Sequence, residues 1–367
     1  MEIWESSLEA LELNWFNSCY KDKRVLVTGH NGFKGAWLSL WLKLMGADIY
    51  GLSLESEHTN NHLKELNINV KEAYIDIRNY SKARQFILDS DPHFVFHMAA
   101  QPLVLDSYDD PINTWTTNVI GTVNILEICR ELKHLLGLIV VTTDKCYENF
   151  SLSRGYKETD ILGGSDPYSA SKAGAEIVTA SYRRSFYENH NCIVASARAG
   201  NVIGGGDWSK DRLIPDLIRS IQKDEILEVR SPKATRPWQH VCDCLNGYLH
   251  LGQKIIEKDL NTNDAFNFGP EVSSNKTVEE VLTIFLKHWP NTNWKNISNE
   301  DFNYEAKLLH LDSTKAKKLL GWEPVWDLYE SLEQTSNWYK NLLDRNVLLT
   351  KDQIIKFMKD KNKHNEI

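Results

Sequence analysis

Short, nearly unbroken apolar runs alternate along the first two hundred residues with longer segments whose apolar positions recur every three to four residues. Arg24–Thr28, Asp48–Ser53, Phe94–His97, Leu138–Thr142 and Ile193–Ala197 are the short runs and read as buried strands. Phe33–Leu44, Ser81–Leu88, Ile112–Leu132 and Tyr168–Tyr187 carry the helical period. Strand–helix alternation of this kind predicts an α/β fold, a Rossmann-type doubly wound parallel sheet with helices on both faces. In such sheets ligands bind beyond the carboxyl ends of the strands.

After about residue 200 the pattern loosens. Gly204 to Gly206 and the prolines at Pro215, Pro232, Pro237, Pro270 and Pro290 cut it into shorter elements. A smaller, partly discontinuous C-terminal lobe is expected there. The expected organisation is an N-terminal extension over 1–20, a sheet domain over 21–200 and a second lobe mainly over 201–350, with about 236–268 returning to the sheet domain. Residues 351–367, rich in lysine, are expected to form a surface helix and a frayed tail.

Composition narrows the range of partners. A net charge of −8 disfavours a broad nucleic-acid surface and points to a small molecule. The most apolar stretch, Ala36–Met45, is interrupted by Ser39 and Lys43 and is far shorter than the roughly 20 residues of a membrane span. The acidic start has no secretory pattern, so a cytoplasmic location is expected. Six cysteines lack zinc-site spacing, and no metal centre is predicted.

Two stretches carry candidate chemistry. The first strand runs into Thr28-Gly-His-Asn-Gly-Phe-Lys-Gly35 and then a helix. Glycines at 29, 32 and 35 let a pyrophosphate approach the backbone at a helix N-terminus, which predicts a dinucleotide. The other reading is a tight turn that happens to be glycine-rich. No Arg or Lys stands between Gly51 and Asn61 to meet a 2′-phosphate, which favours NAD over NADP. Asp76 is placed to reach the adenine or, alternatively, to cap the helix that follows.

The second stretch is Thr142-Thr-Asp-Lys-Cys-Tyr147, six polar or reactive side chains at the end of a core strand. Downstream, Tyr168 and Lys172 stand four apart on a helix, so both face one side and an ammonium could acidify the phenol.

In combination these motifs resemble the extended short-chain dehydrogenase/reductase superfamily, and within its nucleotide-sugar dehydratase branch the CDP-glucose 4,6-dehydratase family. The resemblance rests on Gly29–Gly35, His97–Leu103, Thr143–Tyr147, Tyr168 with Lys172, Asn118, Gly200–Trp208 and Thr235–Val241, and spans about Trp15 to Pro324. It implies a hydro-lyase that oxidises CDP-D-glucose at carbon 4, expels water across carbons 5 and 6 and returns hydride to carbon 6, within deoxysugar and O-antigen precursor synthesis. The implied catalytic residues are Thr143, Asp144, Lys145, Tyr168 and Lys172, with Asp144 as the acid that expels water. In related dehydratases a glutamate acts as base where Lys145 stands. Lys145 is therefore either a neutral base or a charged stabiliser of the enolate, the second requiring no neutralisation of an amine. NAD contacts are implied for Gly29, Asn31, Gly32, Phe33, Gly35, Asp76, Ile77, Ala99, Ala100, Gln101, Asn118, Thr142, Tyr168, Lys172 and Arg198. Substrate contacts are implied for Gln101, Asn201, Arg212, Leu213 and Arg236, and the assembly for a homodimer or homotetramer. A 4-epimerase, a dehydratase of another nucleotide hexose and a non-catalytic NAD-binding scaffold are the competing readings.

Overall fold

The computed structural model describes residues 14–56, 61–259, 262–298 and 309–365. Seven parallel strands form the main sheet: β1 Arg24–Thr28, β2 Asp48–Ser53, β3 Lys71–Tyr74, β4 Phe94–His97, β5 Gly137–Val141, β6 Ile193–Ala199 and β10 Ala265–Phe268. Their order is β10-β6-β5-β4-β1-β2-β3. The winding direction reverses between β1 and β4, so a crevice opens beyond Thr28 and His97. Every residue of β4, β5 and β6 is buried, as expected for strands covered on both faces. The edge strand β3 is mostly exposed, and its Lys-Glu-Ala-Tyr sequence carries no strong apolar signal.

Two smaller sheets lie outside this layer. One joins β7 Asn201–Ile203, β9 Thr235–His240 and β11 Asn275–Thr277; the other pairs β8 Leu227–Val229 with β12 Trp294–Asn296. The chain returns to the main layer through the helix Val241–Ile256, and β10 then pairs with β6. β9 itself belongs to the three-stranded sheet.

Three expectations are corrected. The segment read as one helix over 112–132 is helical over Pro111–Trp115, π-helical over Thr116–Ile120 and α-helical over Gly121–Cys129. The N-terminal extension expected over 1–20 lies outside the described residues up to 13, but Phe16 and Tyr20 are core residues, and the Tyr20 phenol donates to the Leu249 carbonyl at 2.7 Å. The expected surface helix spans Thr350–Asn365, but it is not confined to the surface, because it buries Ile354, Phe357 and Met358. Phe357 meets Trp41 edge-on at 5.7 Å, on the outer side of the helix Phe33–Leu44. Each such buried side chain is worth about 1.5–3 kcal/mol of transfer free energy.

Candidate active site at the sheet crossover

The glycine turn closes the β1 side of the crevice. Gly29 has φ +72°, and a Cβ there would lie 2.9 Å from the Ala99 amide nitrogen; one on Gly35 would collide with the Gly29 carbonyl. Only glycine fits these two positions. The helix Phe33–Leu44 begins without a side-chain cap or an acidic first turn, so its leading amides and positive dipole end are open to an anion. Backbone walls, open amides and the absence of a carboxylate fit a dinucleotide pyrophosphate. Asn31 donates to the Leu54 carbonyl at 2.8 Å and steadies the far side of the turn. Phe33 packs toward Gly204, where a Cβ would lie 3.2 Å from its ring.

Behind the turn, the Thr28 hydroxyl accepts from the Met98 and Ala99 amides, both at 3.1 Å, and lies 2.7 Å from His97 Nδ1. His97 Nε2 then faces Thr122 Oγ1 at 3.1 Å. Burial pushes His97 down to about 3, so it is a neutral brace between β1 and β4. Ala99 and Ala100 follow it at the mouth of the crevice. Asn118, in the π-helical turn, accepts from the Gln101 amide at 2.8 Å and donates to Ser171 Oγ at 2.9 Å, joining this loop to the Tyr168 helix.

In Thr142–Tyr147 the residues divide between two sides. Thr143 Oγ1 donates to Asp144 Oδ1 at 3.0 Å and is within hydrogen-bonding reach of the Tyr168 phenol. Asp144 is 1% exposed, and its other oxygen lies against Gly200, 2.9 Å from where a Cβ would stand. Lys145 is partly exposed; its Nζ is 3.9 Å from Asp144 Oδ1 and 3.5 Å from Asn201 Oδ1. Thr142, Cys146 and Tyr147 turn the other way, into the protein.

Asp166 caps the helix Pro167–Phe186 by accepting from the Ser169 amide at 2.9 Å, and Pro167 fills the first position, which sets Tyr168 at the mouth of the crevice. Burial raises the Tyr168 phenol to about 12, against the pull of the Thr143 hydrogen bond and the Arg212 charge. Lys172 is buried and donates to the Val141 carbonyl at 3.2 Å, and burial together with repulsion from Lys34 lowers it to about 8.

Two residues predicted to face a cofactor are turned into the wall. Arg198 donates from Nη2 to Glu176 at 2.8 Å and from Nη1 to the Tyr147 hydroxyl at 2.7 Å. The Thr142 hydroxyl donates to the other Glu176 oxygen at 2.5 Å. A buried guanidinium needs a buried anion, and Glu176, two turns beyond Tyr168, supplies it. Gln101 is also engaged locally, its amide group donating to Leu103 O at 3.0 Å and Thr114 Oγ1 at 2.8 Å. The Asp76 carboxylate accepts from the Arg78 side chain and amide, which hold it below its ordinary range; Asn79, rather than Asp76, caps the next helix. Ile77 is buried against Gly121.

From the second lobe, Arg212 binds Asp207 at 2.9 Å with its side chain one third exposed, and its charge reaches Tyr168. Leu213 begins the helix Leu213–Lys223 beside it. Arg236 lies on β9 and donates to the Thr235 carbonyl at 2.9 Å. Thus Thr143, Asp144, Lys145, Tyr168, Asn201 and Arg212 converge, while Thr142 and Arg198 support them from behind. Glu176 was not singled out from the sequence, although its i+4 spacing from Lys172 places it on the same helix face.

Comparison with known proteins bears on this arrangement. Residues 26–335 match the family described as GDP-mannose 4,6 dehydratase. A CDP-glucose 4,6-dehydratase of Salmonella typhimurium is 43% identical over 328 residues, covering 88% of this chain and 91% of the relative. A dTDP-glucose 4,6-dehydratase of Xanthomonas campestris is 25% identical, covering 86% and 92%. Among solved structures, an epimerase of Methanothermobacter thermautotrophicus superposes with a TM-score of 0.79 at 23% identity, covering 93% of this chain and 98% of that one. DesIV, a dTDP-glucose 4,6-dehydratase of Streptomyces venezuelae with NAD and TYD bound, superposes with a TM-score of 0.74 at 22% identity, covering 87% and 97%. The chain belongs to the nucleotide-sugar dehydratase family described as GDP-mannose 4,6 dehydratase.

Proposed function

We propose that this protein is a CDP-glucose 4,6-dehydratase, a hydro-lyase converting CDP-D-glucose into CDP-4-dehydro-6-deoxy-D-glucose and water. The observation that carries the reading is the Thr143 hydroxyl set between the Asp144 carboxyl and the Tyr168 phenol, with Lys145 alongside. The identity shared with the Salmonella typhimurium relative supports the choice of substrate.

The glycine turn, Asn31, Asp76, the Ala99–Gln101 backbone and Lys172 would hold NAD. When bound, NAD supplies the oxidation at carbon 4 and the matching reduction at carbon 6, leaving no net redox change. Tyr168 takes the carbon-4 hydroxyl proton, Thr143 bonds the same oxygen, and Lys172, mostly charged at neutral pH, offsets the phenolate. The 4-keto group acidifies the carbon-5 proton, which passes to solvent as Asp144 protonates the departing carbon-6 hydroxyl to form water, and carbon 5 takes a proton back from solvent in the closing reduction. Lys145, 3.9 Å from Asp144, stabilises the developing enolate. Arg212, with Asn201, Leu213 and Arg236 on the second-lobe side, holds the nucleotide diphosphate.

A 4-epimerase would use Tyr168 and Lys172 but has no need of Asp144. Incubation with CDP-glucose and a test for the alkaline chromophore of 4-keto-6-deoxy sugars decides between them: its appearance supports the dehydratase, and inversion at carbon 4 alone removes it. The same reading includes the division into a cofactor lobe over 21–200 and a sugar-nucleotide lobe over 201–350, and a cytoplasmic location. It also includes a homodimer or homotetramer joined through exposed Ile112, Trp115, Ile120, Ile177 and Phe186 on two packed helices, which a sizing measurement tests. No helix among the described residues is long and apolar enough to cross a membrane.

A further inference from the structure

Tyr168, Lys172 and Glu176 stand one turn apart on the same face of the helix Pro167–Phe186. The steps drawn for the first two give the third no part, yet Glu176 is 2% exposed and fully engaged. Its carboxylate accepts from Thr142 at the end of β5 at 2.5 Å, from Ser196 on β6 at 2.7 Å and from Arg198 Nη2 at 2.8 Å. Arg198 extends the connection, donating from Nη1 to the Tyr147 hydroxyl at 2.7 Å and to the Glu158 carbonyl at 3.2 Å. Tyr147 in turn donates to Asn267 Oδ1 at 2.7 Å. Both ends of Thr142–Tyr147 are thereby tied to one buried ion pair.

A buried ion pair is a poor source of stability, because desolvating each ion costs about several kcal/mol and apolar replacements are often neutral. What the pair does supply is direction, since the Glu176 carboxylate takes donors from Thr142, Ser196 and Arg198 in one arrangement. We infer that Glu176 is a positioning residue: by holding Thr142 directly and Tyr147 through Arg198, it fixes Thr143–Lys145 in register with the Tyr168–Lys172 turn of its own helix. The clamp is read from geometry; the chemistry it serves rests on the dehydratase reading. Glu176 also acts through space on Lys172, whose proton it helps to retain against Lys34, while Cys146 and His97 are the other titratable groups near that ammonium.

The test replaces the pair by apolar residues of similar size, Glu176→Leu with Arg198→Met. The variant should fold, exchange its amide hydrogens over 143–145 faster than the wild type, and lose about tenfold to a hundredfold in kcat with KM for CDP-glucose little changed. Its activity should also fall off at lower pH than the wild type, as Lys172 loses the nearby carboxylate. Should the pair fail to fold, Tyr147→Phe removes a single oxygen and should give the faster exchange and the loss in kcat at about two- to tenfold, with the pH profile unmoved because Glu176 remains. Wild-type exchange and wild-type kcat in a folded variant overturn the inference. If the wild type makes no keto sugar from CDP-glucose, the functional reading falls, and hydrogen exchange alone still decides the clamp.

Discussion

On its inner side, Thr142–Tyr147 meets Glu176, Arg198 and Asn267 through hydrogen bonds of 2.5–2.7 Å, all of them buried. On its outer side, Thr143, Asp144 and Lys145 are spaced at 3.0 and 3.9 Å, and Asn201 is 3.5 Å from the lysine. The inner contacts close on one another, whereas the outer groups keep capacity to bind something else. One six-residue stretch thus separates the residues that fix it from those available for chemistry.

The comparison is tested most strongly at Asp144. Asp144→Asn keeps the shape and removes the acid, so turnover of CDP-glucose should fall about 10²–10⁴-fold with the thermal midpoint little changed. A parallel loss of stability would mean that the outer side also holds the fold. Arg198→Ala should do the reverse and cost about 3–5 kcal/mol in urea unfolding, because Glu176 is left buried without its cation. A loss confined to activity would dissolve the distinction between the two sides. Lys145→Ala should lower both turnover and solvent-deuterium entry at carbon 5 by about 10²–10³-fold; wild-type exchange would remove the lysine from the reaction.

The smallest effect contrasts Glu176 with Asp243, a buried carboxyl that among the described residues accepts from the Val325 and Trp326 amides. Burial raises Asp243 to about 7, against those two hydrogen bonds. The folded protein therefore binds the extra proton between about pH 4 and 7, and stability from this group, full below that window, is lost as pH rises through it. Asp243→Asn should flatten the slope by at most about 1.4 kcal/mol per pH unit, read from urea midpoints across that range. Glu176, lowered despite burial because Arg198 adjoins it, slopes the opposite way.

Much of the sheet is legible in the sequence because β1, β2, β4, β5 and β6 are runs of apolar residues at strand length. β3 escapes this signal because its edge position leaves it exposed. The buried face of the helix Thr350–Asn365 is masked by its lysines, although Ile354, Phe357 and Met358 follow the i, i+3, i+4 spacing of a buried stripe. At the site, spacing brings Tyr168 and Lys172 to one face but does not say which hydrogen bonds they choose, and Lys172 takes the Val141 carbonyl. Arg198 lies in a strand with both faces buried, so no alternation reveals which way its guanidinium turns.

The contact of Phe357 with Trp41 has a consequence for biosynthesis. The segment that seals the outer side of the helix Phe33–Leu44 is made about three hundred residues after it. At translation rates of about 5–20 residues per second the nascent chain carries that tryptophan uncovered for on the order of tens of seconds. Completion of the first βαβ unit thus waits on the synthesis of Phe357.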